Sequence, residues 1–298
     1  MKVQTLSIVV GTSACNAMCK GCVSKMTTAV SACSREEDAI NKINGVANMR
    51  KSLLYAKQCG VSTVLITGRG EPTLCPQGVS RAIKMANKYD IPFIELQTNG
   101  ICISKGQITD NDLSVWAYSG LNTICLSAKS EFYEDNAQYF GNSDYPSDLS
   151  AFFQKLHFFG FSIRFSIIMM KGGIETYERV QDVVHFCKKN NVEQLTLRNL
   201  SAPTVSQRLS HKQVHDWCLE HQLSNDTLKN IFNKVDENSI LLYNLMHGAE
   251  VRDFQGQNIC LSNCLTYKPD PDEIRQLIYS PADGHLRYDW VHEGAILF

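Results

Sequence analysis

Six short apolar stretches alternate with helix-like stretches over the first two thirds of the chain. The apolar stretches have the length of strands and are residues 6–10, 61–66, 93–97, 121–126, 161–169 and 192–197. The patterns between them predict helices over residues 34–59, 77–89, 110–118, 147–159 and 176–190. Strands that recur about every thirty residues with helices between them form right-handed crossover units and a parallel sheet. The sequence therefore predicts an α/β fold, a partial (β/α)6 TIM-like barrel.

This alternation ends after residue 200. Helical patterns cover residues 210–223 and 226–235, and two strand-like stretches at 274–279 and 285–290 flank the turn signal Asp283-Gly284. We therefore expect two parts, a barrel core over residues 1–200 and a C-terminal α+β extension over residues 201–298 that covers the barrel mouth.

The composition narrows the class of protein. The 298 residues include 44% apolar and 20% charged residues, which suffices for one large domain or two smaller ones. The formal net charge is -1, so no basic field favours a nucleic-acid partner. We find neither a signal peptide nor an apolar run of membrane-spanning length. Twelve cysteines without a secretion signal are typical of a reducing compartment, and we expect a cytoplasmic location.

Three cysteines follow the first predicted strand closely. Cys15, Cys19 and Cys22 are spaced C-x3-C-x2-C, and a short loop with this spacing can turn three thiolates toward one point. Four cysteines usually hold an iron–sulfur cluster, so a cluster on three would leave one iron open for chemistry. The pattern alone leaves three alternatives open: a zinc site, which needs a fourth ligand, disulfide bonds, and buried apolar cysteines.

Polar motifs follow the next three predicted strands. Residues 67–74 read Thr-Gly-Arg-Gly-Glu-Pro-Thr-Leu, and Glu71 in this loop can accept hydrogen bonds from an ammonium group. Thr98-Asn99-Gly100 follows the third strand, and Ser127 ends the fourth. Ligand groups of a parallel barrel lie at the C-terminal ends of its strands, where all these residues fall. Residues 67–74 and Thr98-Asn99-Gly100, each taken alone, are also ordinary turn signals.

The last two strands of the predicted barrel carry arginines. Arg164 and Ser166 alternate along the fifth strand and therefore share one face. A charge in an apolar strand is costly unless it is paired, so we expect Arg164 to face the barrel lumen. There it either binds an anion or forms a structural ion pair with Glu95 or Glu71. Arg198, at the end of the sixth strand, is a lumen candidate by the same reasoning.

The cysteine triplet, the Gly-Glu-Pro segment and the Thr-Asn-Gly segment, in this order, resemble the radical S-adenosylmethionine (radical SAM) superfamily over about residues 5–200. The resemblance implies an enzyme that cleaves S-adenosyl-L-methionine reductively to a 5'-deoxyadenosyl radical, which abstracts hydrogen from a substrate. It implies that a [4Fe-4S] cluster is held by Cys15, Cys19 and Cys22. The cofactor-binding residues that it implies, together with the lumen candidates, are Gly70, Glu71, Thr98, Asn99, Ser127, Arg164, Ser166 and Arg198.

Two positions depart from the family pattern. Arg69 stands where a glycine usually precedes the Gly-Glu-Pro segment. Gly21 stands before the third cysteine, where the family usually has an aromatic residue whose backbone lies near the adenine. The second departure removes a packing surface beside the expected adenine.

The substrate is the least constrained part of the interpretation. We expect a small molecule or a nucleotide in the barrel mouth, with Arg164 and Arg198 binding an anionic group, and an electron donor such as flavodoxin or ferredoxin. The alternatives are a peptide or protein substrate, as in ribosomal peptide maturases or glycyl-radical activases, and an iron–sulfur sensor without turnover. Cys260 and Cys264 are spaced C-x3-C, but two thiolates are too few for an auxiliary cluster.

Overall fold

The computed structural model of the chain describes residues 3–27, 29–35, 43–202, 212–245, 248–262 and 274–298. In its first two thirds the strands are β1 (Thr5–Val9), β2 (Thr63–Thr67), β3 (Phe93–Thr98), β4 (Thr123–Ala128), β5 (Ser162–Met169) and β6 (Gln194–Asn199). The helices around them are α1 (Ile43–Gln58), α2 (Pro76–Lys88), α3 (Ile101–Ser104), α4 (Asp110–Tyr118), α5 (Tyr133–Phe140), α6 (Leu149–Phe158) and α7 (Tyr177–Lys189).

Strands β1 to β6 are neighbours in chain order, and each pairs in parallel with the next. Their side chains alternate between two faces. On β5, Ile163, Phe165 and Ile167 are fully buried, and the ring of Phe165 contacts Phe153 of α6 at 5.4 Å between centroids. Arg164 and Ser166 point to the opposite face, which is the concave side of the sheet. The predicted α/β partial barrel is confirmed.

Several strands begin about two residues later than the apolar pattern predicts. The Val61 amide donates to the Ala56 carbonyl at 3.0 Å, and the Leu121 amide donates to the Trp116 carbonyl at 3.0 Å. In each pair the donor lies five residues after the acceptor and directly after a glycine, which is the arrangement of a Schellman cap. These apolar residues therefore close the preceding helix, and the strand begins after them.

The helices lie on the convex side of the sheet with one apolar face inward. Helix α2 buries Val79, Ala82, Ile83 and Ala86, which recur at the three- and four-residue spacing of one helical face. Among the helices of the described ranges, none is both long and apolar enough to span a membrane.

The C-terminal segment adds strands to both edges of the barrel sheet. Its described elements are α8 (Lys212–His221), α9 (Asn225–Glu237), β7 (Ile240–Asn244), β8 (Glu250–Phe254), β9 (Gln257–Ser262), β10 (Gln276–Tyr279) and β11 (Leu286–Arg287). Strand β10 pairs in parallel with β1, and β9 pairs in parallel with β6. The resulting order is β11-β10-β1-β2-β3-β4-β5-β6-β9-β8-β7. The predicted hairpin forms between β10 and β11, while the division into two domains stays a prediction.

Candidate cofactor site at the mouth of the barrel

The three cysteines lie on the loop that follows β1, at the C-terminal edge of the barrel strands. All three are free thiols; Cys15 is exposed, and Cys19 and Cys22 are half-buried. The pKa of Cys19 is raised to about 12, first by burial and then by the neighbouring charges of Cys22 and Cys15. Because the charge of each thiolate raises the pKa of its neighbours, the sulfur atoms lie close together. A bound metal would lower these pKa values, because it binds the thiols in their deprotonated form. The donor set, three thiols on one loop, therefore fits an iron–sulfur cluster with one open iron.

Hydrogen bonds from three other segments hold this cysteine loop in place. The Glu71 amide donates to the Ala14 carbonyl at 3.0 Å. The Asn99 side chain donates from Nδ2 to Asn16 Oδ1 at 2.7 Å, and Asn142 Nδ2 donates to the Asn16 carbonyl at 2.6 Å. The loops after β2 and β3 and the segment after α5 are thereby joined to the loop that carries the cysteines.

Gly70 lies in close contact with the backbone that precedes Cys15. A Cβ atom at this position would lie 1.8 Å from the Ala14 carbonyl oxygen and 2.5 Å from its carbon, closer than any real contact. The residue must be glycine because the two loops touch backbone to backbone. The Gly-Glu-Pro segment and the cysteine loop are therefore one packed unit.

Glu71 is buried and its carboxylate accepts several hydrogen bonds. Oε1 accepts from the Thr73 amide at 3.0 Å, the Thr73 hydroxyl at 2.6 Å and the Thr98 hydroxyl at 2.6 Å, and Oε2 accepts from the Asn99 amide at 3.0 Å. Burial raises the pKa of Glu71, while these hydrogen bonds oppose the shift. Thr98 and Asn99 therefore have partners inside the protein, and a contact between either of them and a ribose stays a prediction.

The lumen of the barrel contains a buried ion pair. Arg164 on β5 donates to the Glu95 carboxylate on β3, and Gln97 Nε2 donates to the same oxygen at 3.1 Å. Burial alone lowers the pKa of Arg164, but Cys125 and Glu95 hold it above the ordinary value. Of the two roles left open by the sequence, the structure contains the ion pair with Glu95.

Beside this pair, polar side chains of three adjacent strands line the same face. Ser127 of β4 is in register with Ser166 of β5, which is in register with Thr196 of β6. Arg198 lies two residues after Thr196, and its Nε atom is buried without a hydrogen-bond partner. The Thr196 hydroxyl also has no partner. These four residues form a polar wall of the lumen. Ser127, Ser166 and Arg198 were predicted from the sequence, and Thr196 was not.

An aromatic group from the C-terminal segment packs against Gly21. A Cβ atom at Gly21 would lie 2.8 Å from Cζ3 of Trp217 on α8 and 3.1 Å from Cδ1 of Leu200. Trp217 stacks on His221 with 4.2 Å between ring centroids and lies 6.2 Å from the ring of Tyr139. The indole of Trp217 thus fills the space that a side chain at Gly21 would occupy. The helix that carries Trp217 is distant in sequence, so no local pattern predicts this contact.

The other cysteines do not assemble a second site in the described part of the chain. Cys218 is buried on α8, and Cys260 is buried on β9 in register with Thr196. Cys264 lies outside the described residues. Over the described ranges, no group of three Cys, His, Asp or Glu side chains is placed to hold a single metal ion.

No protein-family model and no curated protein sequence matches the chain, whereas solved structures match its fold. SuiB from Streptococcus suis matches with a TM-score of 0.59 and 15% identity over 97% of this chain and 60% of SuiB. The protein anSMEcpe, solved with bound AdoMet, matches with a TM-score of 0.58 and 15% identity over 99% of this chain and 77% of its own. Coproporphyrinogen III oxidase (HemN) from Escherichia coli, described as a radical SAM enzyme, matches with a TM-score of 0.50 and 13% identity over 80% and 53%.

The chain shares its fold with these three proteins, one of which is described as a radical SAM enzyme. At identities of 13% to 15% the likeness concerns the fold. The chain spans 60% of the length of SuiB. The agreement of this fold with the position of the cysteine loop is the basis for the functional proposal below.

Proposed function

We propose that this protein is a radical SAM enzyme whose [4Fe-4S] cluster is held by Cys15, Cys19 and Cys22. One observation carries the proposal. In a barrel with the fold of HemN and anSMEcpe, the cysteine loop lies against Gly70 in backbone contact and is hydrogen-bonded to Glu71 and to Asn99. Three motifs that are far apart in sequence therefore meet at the C-terminal edge of the barrel strands.

When bound, the cluster supplies the electron that cleaves S-adenosylmethionine to a 5'-deoxyadenosyl radical, which takes a hydrogen from the substrate. The chain's own residues position the reactants and exclude water. The backbone around Gly70 and the Oε2 atom of Glu71, which accepts one hydrogen bond inside the protein, would accept hydrogen bonds from the methionyl ammonium. Ser127 would contact the sugar of the cofactor, and Ser166, in register with it on the lumen face of the next strand, would lie beside the same ligand.

The polar wall of the lumen also suggests a class of substrate. The Nε atoms of Arg164 and Arg198 are both buried without a hydrogen-bond partner. Arg164 is neutralised by Glu95, whereas Arg198 forms no ion pair among the described residues. An arginine in this state favours an anionic ligand. We therefore propose a small molecule or a nucleotide that carries a carboxylate or phosphate, with Arg198 as its contact. Turnover also requires an electron donor such as flavodoxin or ferredoxin.

A peptide substrate is the second candidate. The structure of SuiB bound to the precursor peptide SuiA matches this chain with a TM-score of 0.58 over 97% of its length. SuiB, which shares this fold over 60% of its own length, thus binds a peptide, and an acidic side chain of a peptide would also satisfy Arg198. A maturase that modifies ribosomal peptides and a glycyl-radical activase both belong to this candidate.

The test of the proposed function is anaerobic. The protein is reconstituted with iron and sulfide, reduced with dithionite and given S-adenosylmethionine, and 5'-deoxyadenosine is quantified. We expect 5'-deoxyadenosine from the wild type and from the matched control Cys187→Ala, whose thiol is buried on α7, and none from Cys19→Ala.

Each other outcome has a distinct meaning. A cluster that assembles without cleavage of S-adenosylmethionine, also in the presence of peptide and nucleotide pools, favours the iron–sulfur sensor. A protein that binds zinc and no iron contradicts the proposal. If cleavage occurs, its acceleration by a carboxylate- or phosphate-bearing pool, compared with a peptide pool, separates the two substrate classes.

A further inference from the structure

Arg69, the residue that departs from the family pattern before Gly-Glu-Pro, contacts the segment that follows the third cysteine. Its Nη1 atom donates to the Thr27 hydroxyl at 3.1 Å, and its Nη2 atom donates to the Ser24 carbonyl. Ser24 belongs to the short 3-10 helix Val23–Lys25, which begins directly after Cys22. The guanidinium therefore lies beside the cysteine loop and connects it to the loop that follows β2.

The Arg69 charge has no carboxylate partner among the described residues. Both of its hydrogen-bond acceptors are neutral oxygens. Burial lowers the pKa of Arg69, and the charge that opposes this shift is the thiolate of Cys22. A charge that is partly withdrawn from water is stabilised by an anion nearby. The hydrogen bond to the Ser24 carbonyl places the guanidinium two residues from Cys22, where an assembled cluster with its thiolate ligands would supply a negative charge.

We propose that Arg69 is a positioning residue of the cluster site that stabilises the reduced cluster through its charge. This inference rests on the proposed function. Three thiolates and a four-iron core together carry a net negative charge, and one electron from the donor makes that charge more negative by one. A neighbouring cation therefore favours the reduced state and raises the reduction potential, since net charge and local polarity set that potential.

Lys25 provides a matched comparison because it carries the same charge on the same segment. The pKa values of Cys15 and Cys19 are raised chiefly by burial, and the attraction of the Lys25 ammonium opposes this shift. Lys25, however, is exposed, whereas Arg69 is half-buried. Water and salt screen an exposed charge much more strongly than a withdrawn one. We therefore expect the two cations to differ in their effect on the cluster.

The experiment is a redox titration of the reconstituted cluster, followed by electron paramagnetic resonance, in the wild type and in three variants. We expect Arg69→Gln to lower the ratio of reduced to oxidised cluster at a fixed potential by about tenfold, which is about 59 mV for one electron. Arg69→Lys, which keeps the charge, should titrate within about threefold of the wild type. Lys25→Gln should also change the ratio by less than about threefold.

Two results would overturn the inference. One is an unchanged potential in Arg69→Gln with full cluster content. The other is an equal shift in Arg69→Gln and Arg69→Lys, which would assign the effect to the lost hydrogen-bond geometry. If Arg69→Gln retains no cluster, Arg69→Lys decides: retention in the lysine variant supports the role of the charge, and loss in both variants contradicts it.

The titration also separates this inference from the proposed function. A wild-type protein that assembles no cluster refutes the proposed function. A wild-type cluster with a normal signal, whose potential does not respond to the charge at position 69, refutes only the role of Arg69. Neither readout depends on turnover or on knowledge of the substrate.

Discussion

The contact between Gly70 and the backbone of Ala14 allows a quantitative prediction for Gly70→Ala. The added Cβ would lie 1.8 Å from the Ala14 carbonyl oxygen, so the two loops must separate by at least about 1.2 Å to reach 3.0 Å. That displacement would break the 3.0 Å hydrogen bond from the Glu71 amide to the same oxygen. Overpacking costs about 1–3 kcal/mol and a lost hydrogen bond about 0.5–1.5 kcal/mol, so we expect the unfolding free energy to fall by roughly 2–4 kcal/mol.

The same displacement should reduce cluster assembly, because it moves the segment that carries Cys15. Urea denaturation of the metal-free protein measures the loss of stability, and iron content after anaerobic reconstitution measures cluster assembly. Gly294→Ala is the matched control, since nothing lies within 4 Å of a Cβ at that position. If Gly70→Ala equals Gly294→Ala in both stability and iron content, the argument that the two loops form one packed unit is wrong.

Three further predictions concern the surroundings of the cysteine loop. Trp217→Ala should lower the unfolding free energy by roughly 2–3 kcal/mol in urea denaturation, because it opens a cavity beside Gly21. Trp217→Phe should lower the unfolding free energy by about half as much. Asn142→Ala removes the 2.6 Å hydrogen bond to the Asn16 carbonyl, which should destabilise the cysteine loop by about 1 kcal/mol. Hydrogen exchange of the amides in this loop should therefore become about fivefold faster, and unchanged exchange would contradict the prediction. In the metal-free protein, the pKa of Cys19 is raised to about 12, chiefly by burial. Since only the thiolate reacts with iodoacetamide, the rate of Cys19 alkylation should keep rising from pH 8 to above pH 10. A rate that levels off near pH 9 would contradict the burial argument.

The order of strands in the barrel could be predicted because it depends on local patterns and on the handedness of crossover connections. Each apolar stretch is buried on the sheet, and a helix of suitable length connects it to the next. The starts of β2 and β4 were predicted too early, since an apolar residue that closes a helix looks the same in sequence as the first residue of a strand.

The edges of the sheet were not predictable in the same way. Strands β9 and β10 lie about sixty or more residues beyond the last barrel strand, yet they pair with β6 and β1 at opposite edges. The sequence pattern predicts β10 as a strand but not β9, and it does not indicate which edge of the sheet either of them joins. That choice depends on the space left by the completed barrel.

The sequence by itself determined the parallel barrel and the placement of three motifs at its C-terminal edge, because strand–helix alternation brings every such edge to one side. Only the tertiary structure decided which groups become partners. It pairs Arg164 with Glu95, turns Asn99 toward Asn16 and packs Trp217 against Gly21. Such contacts join residues that are far apart in the chain, and their geometry follows from how the packed elements meet, which local spacing does not encode.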